Sequence, residues 1–228
     1  MDKDIVFIPG ALASPKFWYH QASYFQEKAR LHYVDVLNGF SIKEIAERFA
    51  EIAPDKFTLI AFSMGGYIAL ELFHFIPHQI EKLVLINSAA KVVSEKGQEE
   101  RARSLALINK GKFDFLICLI FKNSIYDKNK HPLLLPLLQA MAHEVGAEKY
   151  VIQLNAILNK SDHSSLLSTI ECPTLLLASQ QDNIMPIERS EHMARHIKHS
   201  KLIYLEECGH VAPLEQPDLL NKILSDWV

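Results

Sequence analysis

The 228-residue sequence is poor in cysteine and has no long hydrophobic run. Its three cysteines, Cys118, Cys172 and Cys208, are far apart and form no C-x-x-C pair, which argues against a disulfide framework and a structural zinc site. The longest apolar runs, beginning at Phe115 and Leu133, fall far short of the roughly 20 residues that span a bilayer. The N-terminus lacks a signal-peptide pattern. We therefore expect a cytoplasmic protein that does not enter a membrane.

An excess of positive charge is also missing. The formal net charge is -3 and the sequence pI is about 6.4, so the chain lacks the overall basic field that nucleic-acid binding requires. The sequence contains no H-E-x-x-H motif and no other cluster with metal-ligand spacing. We therefore expect no nucleic-acid partner, no metal and no cofactor.

Short apolar segments recur along the chain and alternate with longer amphipathic ones. They read as continuous β-favouring runs, which is typical of parallel strands covered on both faces. The predicted strands are Asp4–Ile8, Leu31–Val36, Phe57–Phe62, Lys82–Asn87, Pro173–Ser179 and Lys201–Glu207. The sequence therefore predicts an α/β fold with a mostly parallel six-stranded central sheet flanked by helices.

Three segments outside the predicted strands show clear helix signals. Ser41 followed by Glu44 forms a capping-box pattern at the start of the predicted helix Ser41–Ile52. The predicted helices Ile187–Ile197 and Pro217–Val228 each have a proline near their start. Strand and helix alternate, so right-handed crossovers are expected.

No convincing strand lies between Asn87 and Pro173, although a single crossover needs only about 30 residues. This stretch reads as short helices, punctuated by Gly111, Pro132, Pro136 and Gly146. We expect residues 89–168 to form a helical cap inserted into a core of residues 1–88 and 169–228, because inserts in open α/β sheets border the ligand crevice. The alternative is a structural layer without a role in binding.

Ser63 lies between the predicted strand Phe57–Phe62 and a helical segment that begins MGGY. A serine on such a sharp strand-to-helix turn projects its hydroxyl above the sheet edge, as an acyl-transfer nucleophile requires. Gly65 and Gly66 meet the steric demands of the turn, whereas Ala61 stands where a serine hydrolase usually has glycine. A lone serine in such a turn is more often structural, so its partners decide the interpretation.

A serine hydroxyl needs a histidine as base, and the histidine needs a carboxylate to orient it. Asp182 follows the fifth predicted strand and His210 follows the sixth, after Gly209. Both lie beyond the carboxyl ends of parallel strands, where open α/β sheets hold ligands. The sequence thus predicts Ser63, Asp182 and His210 as a catalytic triad. The turn after the first strand offers the amides of Ala11 or Leu12, with that of Met64, as an oxyanion hole.

These motifs resemble the α/β-hydrolase superfamily over essentially the whole chain. The matching pieces are PGALASPKFW for the oxyanion turn, FSMGGYIALEL for the nucleophile turn, QQDNIMP for the acid loop and CGHVAPLEQP for the histidine loop. The chain departs from many members in having Pro9 before Gly10 and a reduced turn at Asp35–Ser41. The resemblance implies a small, capped serine carboxylesterase that acts through an acyl-enzyme.

The substrate stays open at this stage. Lys91 to Lys130 carries nine basic and five acidic residues, and a basic cap could recruit an acidic acyl carrier or a coenzyme A thioester. A solvated helix face is the plainer explanation. The resemblance also allows carrier-protein methyl ester esterases, enol-lactonases, perhydrolases and, among non-enzymes, ligand receptors of the same fold. A small-molecule ester is the expected substrate.

Overall fold

Six parallel strands form the central sheet of the computed structural model, which describes residues 3–228. The strand order across the sheet is β2-β1-β3-β4-β5-β6, and each neighbouring pair is parallel. The predicted α/β fold is confirmed, and the sheet is parallel throughout rather than mostly parallel. The strands are β1 (Asp4–Ile8), β2 (Arg30–Tyr33), β3 (Phe57–Phe62), β4 (Ile80–Ile86), β5 (Thr174–Ser179) and β6 (Ser200–Leu205).

The two edge strands end earlier than the sequence predicted. β2 ends at Tyr33 instead of Val36, because its neighbour β1 stops at Ile8 and Pro9 follows. The last ladder bond there runs from the amide of Val34 to the carbonyl of Phe7, at 3.0 Å. β6 ends at Leu205, opposite the last residue of β5, and so two residues before the predicted end. A strand extends only as far as its neighbour offers hydrogen-bond partners.

Hydrophobic side chains cover both faces of the sheet. In β1, Ile5 and Phe7 belong to one buried cluster, whereas Val6 and Ile8 belong to the other. Successive side chains of a strand point to opposite faces, so a strand buried on both faces is apolar at most positions. This accounts for the continuous apolar runs in the sequence.

Nine α-helices surround the sheet in the described part of the chain. The predicted capping box is present at the start of α2, where the amide of Glu44 donates to Ser41 Oγ at 3.1 Å. The Glu44 carboxylate reaches back to the amide of Phe40 instead of that of Ser41. The helices are α1 (Tyr19–Phe25), α2 (Ile42–Ala50), α3 (Met64–Leu72), α4 (Glu95–Asn109), α5 (Phe113–Ser124), α6 (His131–Leu158), α7 (Ile187–His196), α8 (Ala212–Glu215) and α9 (Pro217–Trp227).

Helices α4 to α6 fill the stretch between β4 and β5, and residues 87–173 contain no strand. Gly111 adopts a φ of 68° between α4 and α5, and Gly146 has a φ of 79° within α6. The predicted break at Pro136 is wrong, since Pro136 lies inside α6. It is the sixth residue of that helix, beyond the first four N–H groups that lack an intrahelical partner, so the helix continues with the loss of one backbone hydrogen bond.

Helices α5 and α6 contribute Leu116, Phe121 and Leu138 to the buried cluster that also contains Ile5 and Phe7 of β1. Within residues 3–228, no helix combines the length and apolar character needed to cross a bilayer. Of the three inserted helices, α5 and α6 contain buried apolar residues, whereas α4 has no fully buried residue.

Candidate active site

Ser63 forms the single-residue turn between β3 and α3. Its backbone has φ 52° and ψ -116°, outside the regions that non-glycine residues normally occupy. Such a conformation costs about 1–3 kcal/mol and persists only where the surroundings impose it. Here the amide of Ser63 donates to the carbonyl of Ile86 at 3.0 Å, and Ser88 Oγ donates to the carbonyl of Ser63 at 2.8 Å. The end of β4 thus holds the turn in place.

The two glycines that follow Ser63 are required by close packing. A Cβ atom at Gly65 would lie 2.5 Å from the carbonyl oxygen of Ile8 and 2.7 Å from that of Pro9. A Cβ atom at Gly66 would overlap the side chain of Ser88. Real Cβ atoms do not approach backbone oxygens this closely, so α3 can start directly against β1 only with glycine here.

Ala61 is an ordinary strand residue. It pairs with Ile8 of β1 and Leu85 of β4, its φ is not positive, and its side chain is fully buried. The sequence interpretation required a negative φ at this position, and the structure meets that condition. The methyl group that alanine adds to the usual glycine packs within the buried cluster that also contains Val6 and Ile8.

The structure brings the side chains of Ser63, Asp182 and His210 together in a hydrogen-bonded row. Ser63 Oγ lies 3.0 Å from His210 Nε2, and His210 Nδ1 lies 2.7 Å from Asp182 Oδ2. The Asp182 side chain is fully buried and that of His210 nearly so. A carboxylate on Nδ1 selects the tautomer whose Nε2 can accept the serine proton.

A tight loop after β5 positions Asp182. The amides of Ile184 and Met185 donate to Asp182 Oδ1 at 2.7 and 2.8 Å. One carboxylate oxygen is thus held by the backbone, while the other faces the imidazole of His210. The two backbone amides thus hold the carboxylate in place independently of the histidine.

Three residues that the sequence reasoning did not assign to the site hold the His210 loop: Asn87, Ser124 and Glu215. Asn87 Nδ2 donates to the carbonyl of His210 at 2.7 Å, and its Oδ1 accepts from the amide of Ser179 at 2.8 Å. The carbonyl of Ser124, at the end of α5, accepts from the amide of His210 at 2.7 Å. Buried Glu215 accepts from the amide of Gly209 at 2.8 Å. The sequence feature that could have pointed to Asn87 is its position directly after β4, which places it at the same edge of the sheet as Ser63 and Asp182.

The three candidate oxyanion donors differ in their hydrogen bonding. The amide of Leu12, which has a φ of 58°, donates to Oε1 of buried Gln153 in α6 at 3.0 Å. Within residues 3–228, no acceptor is hydrogen-bonded to the amides of Ala11 or Met64. A Cβ atom at Gly10 would lie 3.3 Å from Ser63 Cβ, so the turn that carries Ala11 touches the serine directly.

A cavity of about 180 Å³ opens next to Ser63 and His210. We call it the Ser63 cavity. Its apolar walls come from the turn after β1 and from helices α5 and α6, whereas Glu100, Arg101 and Ser104 of α4 add polar groups. The apolar lining residues include Phe17, Phe62, Ile120, Phe121, Leu138, Leu154, Ile157 and Val211. The inserted helices therefore form most of the wall that faces the serine.

Cys208 does not compete with Ser63 as a nucleophile. Its side chain is fully buried, and burial raises the pKa of the Cys208 thiol to about 12. Because only the thiolate attacks readily, this cysteine is inert at neutral pH.

One group of side chains outside the triad has the composition of a metal site. Potential ligand atoms of Glu71, His74 and His163 lie within 4.8 Å of one another. His163 is not a surface residue: it is 2% exposed, and its Nε2 lies 2.6 Å from Glu71 Oε2. Burial lowers the pKa of His163, and Lys160 nearby acts in the same direction. A neighbouring ammonium group opposes cation binding, so these residues are better described as a buried polar contact than as a metal centre.

Known proteins match this chain over nearly its whole length. The family model of the alpha/beta hydrolase family matches residues 5–223. The protein named "Putative carbamate hydrolase RutD" from Yersinia enterocolitica is 24% identical, over 99% of this chain and 87% of that protein. The pimeloyl-[acyl-carrier protein] methyl ester esterase of Nitrosomonas europaea is 23% identical, over 94% of this chain and 91% of that protein.

A solved structure shares the fold over the whole of this chain. A thermophilic esterase from Thermogutta terrifontis superimposes with a TM-score of 0.87 at 21% identity, covering 100% of this chain and 89% of that one. At this identity, the likeness shows a shared fold and leaves the substrate to be argued from the site itself.

Proposed function

The chain belongs to the alpha/beta hydrolase family, and on that premise we propose that it is a serine hydrolase of small or medium carboxylic esters. The observation that carries the proposal is the hydrogen-bonded row Ser63, His210 and Asp182, with distances of 3.0 and 2.7 Å. A serine so placed has a base within reach, and the base has an orienting carboxylate, which are the requirements for nucleophilic acyl transfer.

In the proposed mechanism, Ser63 Oγ attacks the ester carbonyl while His210 Nε2 takes its proton. The protonated imidazole, stabilised by Asp182, then gives the proton to the departing alcohol, which leaves an acyl-enzyme on Ser63. Water repeats the sequence, with His210 again as base, and releases the acid. The three protein side chains that these steps use are hydrogen-bonded to one another.

The amides of Ala11 and Met64 are the proposed oxyanion donors. Both are without a hydrogen-bond partner in the described part of the chain, whereas the amide of Leu12 is held by Gln153. Of the two candidates in the turn after β1, this difference favours Ala11. Met64 is the first residue of α3, so the positive end of that helix also favours the developing negative charge.

The proposal assigns residues 89–168 the role of a cap over the serine. Helices α5 and α6 supply about half of the apolar lining of the Ser63 cavity, and α4 adds polar side chains. The Ser63 cavity has a volume of about 180 Å³. This is below the usual range for ligand pockets, which favours a short or medium acyl chain.

A specific observation supports a second candidate, an esterase for acyl groups on an acidic carrier or on coenzyme A. Four cationic side chains line a second cavity beside the first: Lys91, Lys96, Arg101 and Arg189. The relative from Nitrosomonas europaea carries the name of a carrier-protein methyl ester esterase. Lactone hydrolysis and perhydrolysis would use the same three side chains, and turnover of matched substrates separates them from simple ester hydrolysis.

Labelling with a fluorophosphonate tests the proposal directly. The reagent should modify Ser63 alone among the serines, since only this hydroxyl is hydrogen-bonded to a base that carries an orienting carboxylate. Mass spectrometry of the digested protein locates the adduct, and hydrolysis of p-nitrophenyl acetate to octanoate is measured in parallel. A protein that binds ester ligands but neither reacts with the phosphonate nor turns over any ester would be a receptor instead.

Replacing Gln153 with leucine should lower kcat about tenfold and change KM little. The substitution leaves the buried Leu12 amide without its acceptor, which loosens the turn that carries Ala11, and removal of one oxyanion donor costs about 10²–10³ in kcat. Gln21→Leu is the matched control, because Gln21 is also a fully buried glutamine but lies outside the Ser63 cavity. A purely structural role would lower the melting temperature without this separation of kcat from KM.

A further inference from the structure

A second cavity, of about 110 Å³, lies against the Ser63 cavity. We call it the Lys91 cavity. The two cavities share Glu100, Arg101 and Ile184 as lining residues. A substrate held at Ser63 therefore has the Lys91 cavity as a direct neighbour, across the side chains of α4 and of the loop that follows Asp182.

The Lys91 cavity is strongly cationic. Lys91, Lys96, Arg101 and Arg189 line it, against the single carboxylate of Glu100. Lys96 lies 4.0 Å from Glu100. Within residues 3–228, no carboxylate lies within ion-pair distance of the charged groups of Lys91, Arg101 or Arg189. Three cations thus face this cavity with no anionic partner in the described chain.

Arg101 occupies the junction between the cavities. Its side chain donates to the carbonyl of Gly97 at 3.0 Å, but its buried Nε has no hydrogen-bond partner in the described residues. A buried donor without an acceptor is costly, and a guanidinium is well suited to bind carboxylate or phosphate oxygens. Arg101 is also the only Lys or Arg side chain in the lining of the Ser63 cavity.

Two further features make this region favourable for an anion. Helices α4 and α7 both begin near the Lys91 cavity, whose lining includes Ser94, Lys96 and Gly97 from the first and Pro186 and Arg189 from the second. Helix N-termini favour negative charge. Lys160 contacts Tyr67 in the cavity wall, with Nζ 4.3 Å from the ring centre. Burial lowers the pKa of Lys160 to about 8, with Arg189 and Arg101 adding to the effect against Asp162. Lys160 therefore lies close enough to Arg101 and Arg189 for their positive charges to repel its own.

We propose that the natural ester carries an anionic group, a carboxylate or a phosphate, which Arg101 and Arg189 bind where the Ser63 cavity meets the Lys91 cavity. This inference rests on the proposed ester hydrolysis at Ser63 and specifies its substrate class. The apolar wall holds the chain between the two ends, and the ester bond lies at Ser63 while the anion lies beside Arg101.

The test compares matched pairs of esters that differ only in the anionic group. The carboxylate pair is p-nitrophenyl hexanoate and the mono-p-nitrophenyl ester of adipic acid. The phosphate pair is 1-hexanoylglycerol and 1-hexanoylglycerol 3-phosphate, followed by acid release in a pH-stat. We expect kcat/KM to favour the anionic member of at least one pair by about tenfold, and the preference to shrink as NaCl rises from 0.05 to 0.5 M. The preferred pair identifies the anion and the side of the ester that carries it.

Arg101→Gln and Arg189→Gln should each reduce the anionic-to-neutral ratio of kcat/KM about tenfold. Because the two residues lie on different helices, failure of one variant to fold leaves the other informative. Arg103→Gln on α4 and Arg195→Gln on α7 are the matched controls, since each of these exposed arginines pairs with a carboxylate of its own helix. The controls should keep the wild-type ratio.

Equal turnover of both members of each pair by the wild-type protein would overturn the inference. So would a control variant that loses the preference as fully as Arg101→Gln. Both results leave the proposed ester hydrolysis standing, because the neutral esters are still cleaved. Loss of turnover on all four substrates, together with an unlabelled Ser63, would instead contradict the proposed function itself.

Discussion

Ser63→Ala should reduce kcat for p-nitrophenyl esters by about 10⁶-fold, the magnitude known for loss of the nucleophile in a serine protease. The variant removes the atom that forms the acyl-enzyme and leaves His210 and Asp182 in place. Some acceleration over water should survive, because the oxyanion amides and the Ser63 cavity still bind the substrate. The measurement is steady-state turnover at saturating ester, with burst amplitude as a second readout, since an acyl-enzyme burst requires Ser63.

Ser168→Ala is the control for this experiment. Ser168 is exposed and lies in the short segment before β5, outside both cavities. Its replacement should leave kcat and the burst unchanged. Retention of more than about a hundredth of wild-type turnover by a folded Ser63→Ala protein would mean that another group performs the attack, and the nucleophile assignment would fail.

Asp182→Asn should lower kcat by about 10⁴-fold without unfolding the protein. Asp182 Oδ1 accepts two backbone amides, from Ile184 and Met185, and an asparagine oxygen can continue to accept both. The asparagine NH₂ group then faces His210 Nδ1 and donates to it. This selects the imidazole tautomer that carries its hydrogen on Nε2, which cannot accept the proton of Ser63.

A second aspartate in a similar turn provides the control for Asp182→Asn. Asp35 Oδ1 accepts from the amide of Leu37 at 2.9 Å, the same local pattern as that between Asp182 and Ile184, but no histidine contacts it. Asp35→Asn should therefore keep full activity. Comparable losses in the two variants would show that the turn, rather than the orientation of His210, is responsible. Thermal unfolding of both variants excludes a loss of folded protein as the cause.

Much of the fold could be predicted because strands buried on both faces are apolar at most positions. β1, β3 and β5 are short apolar runs for this reason, and the insert between β4 and β5 stood out because it lacked such a run. The limits of β2 and β6 were less predictable, since an edge strand ends where its one neighbour ends. Pro136 misled because a proline removes only one backbone hydrogen bond, and the buried side chains of α6 stabilise the helix around it.

The candidate triad could be predicted because parallel topology brings the carboxyl ends of strands to one edge. Ser63, Asp182 and His210 each follow a different strand, so their order along the chain and their strand positions were sufficient to expect them together. The imperfect glycine pattern at Ala61 mattered less than expected. Ala61 lies within β3, whereas the close approach of α3 to β1 falls on Gly65.

The sequence by itself determined the α/β architecture, the inserted helices and the three side chains that meet at the sheet edge. The apolar strand pattern and the succession of strands along the chain can be read directly from the sequence. Only the tertiary structure decided how residues distant in sequence complete the site. Gln153 of α6 accepts from the amide of Leu12, Asn87 donates to the carbonyl of His210, and Arg101 lines the Ser63 cavity. These contacts depend on how the insert packs against the sheet, and long-range packing of this kind leaves no periodic mark in the sequence.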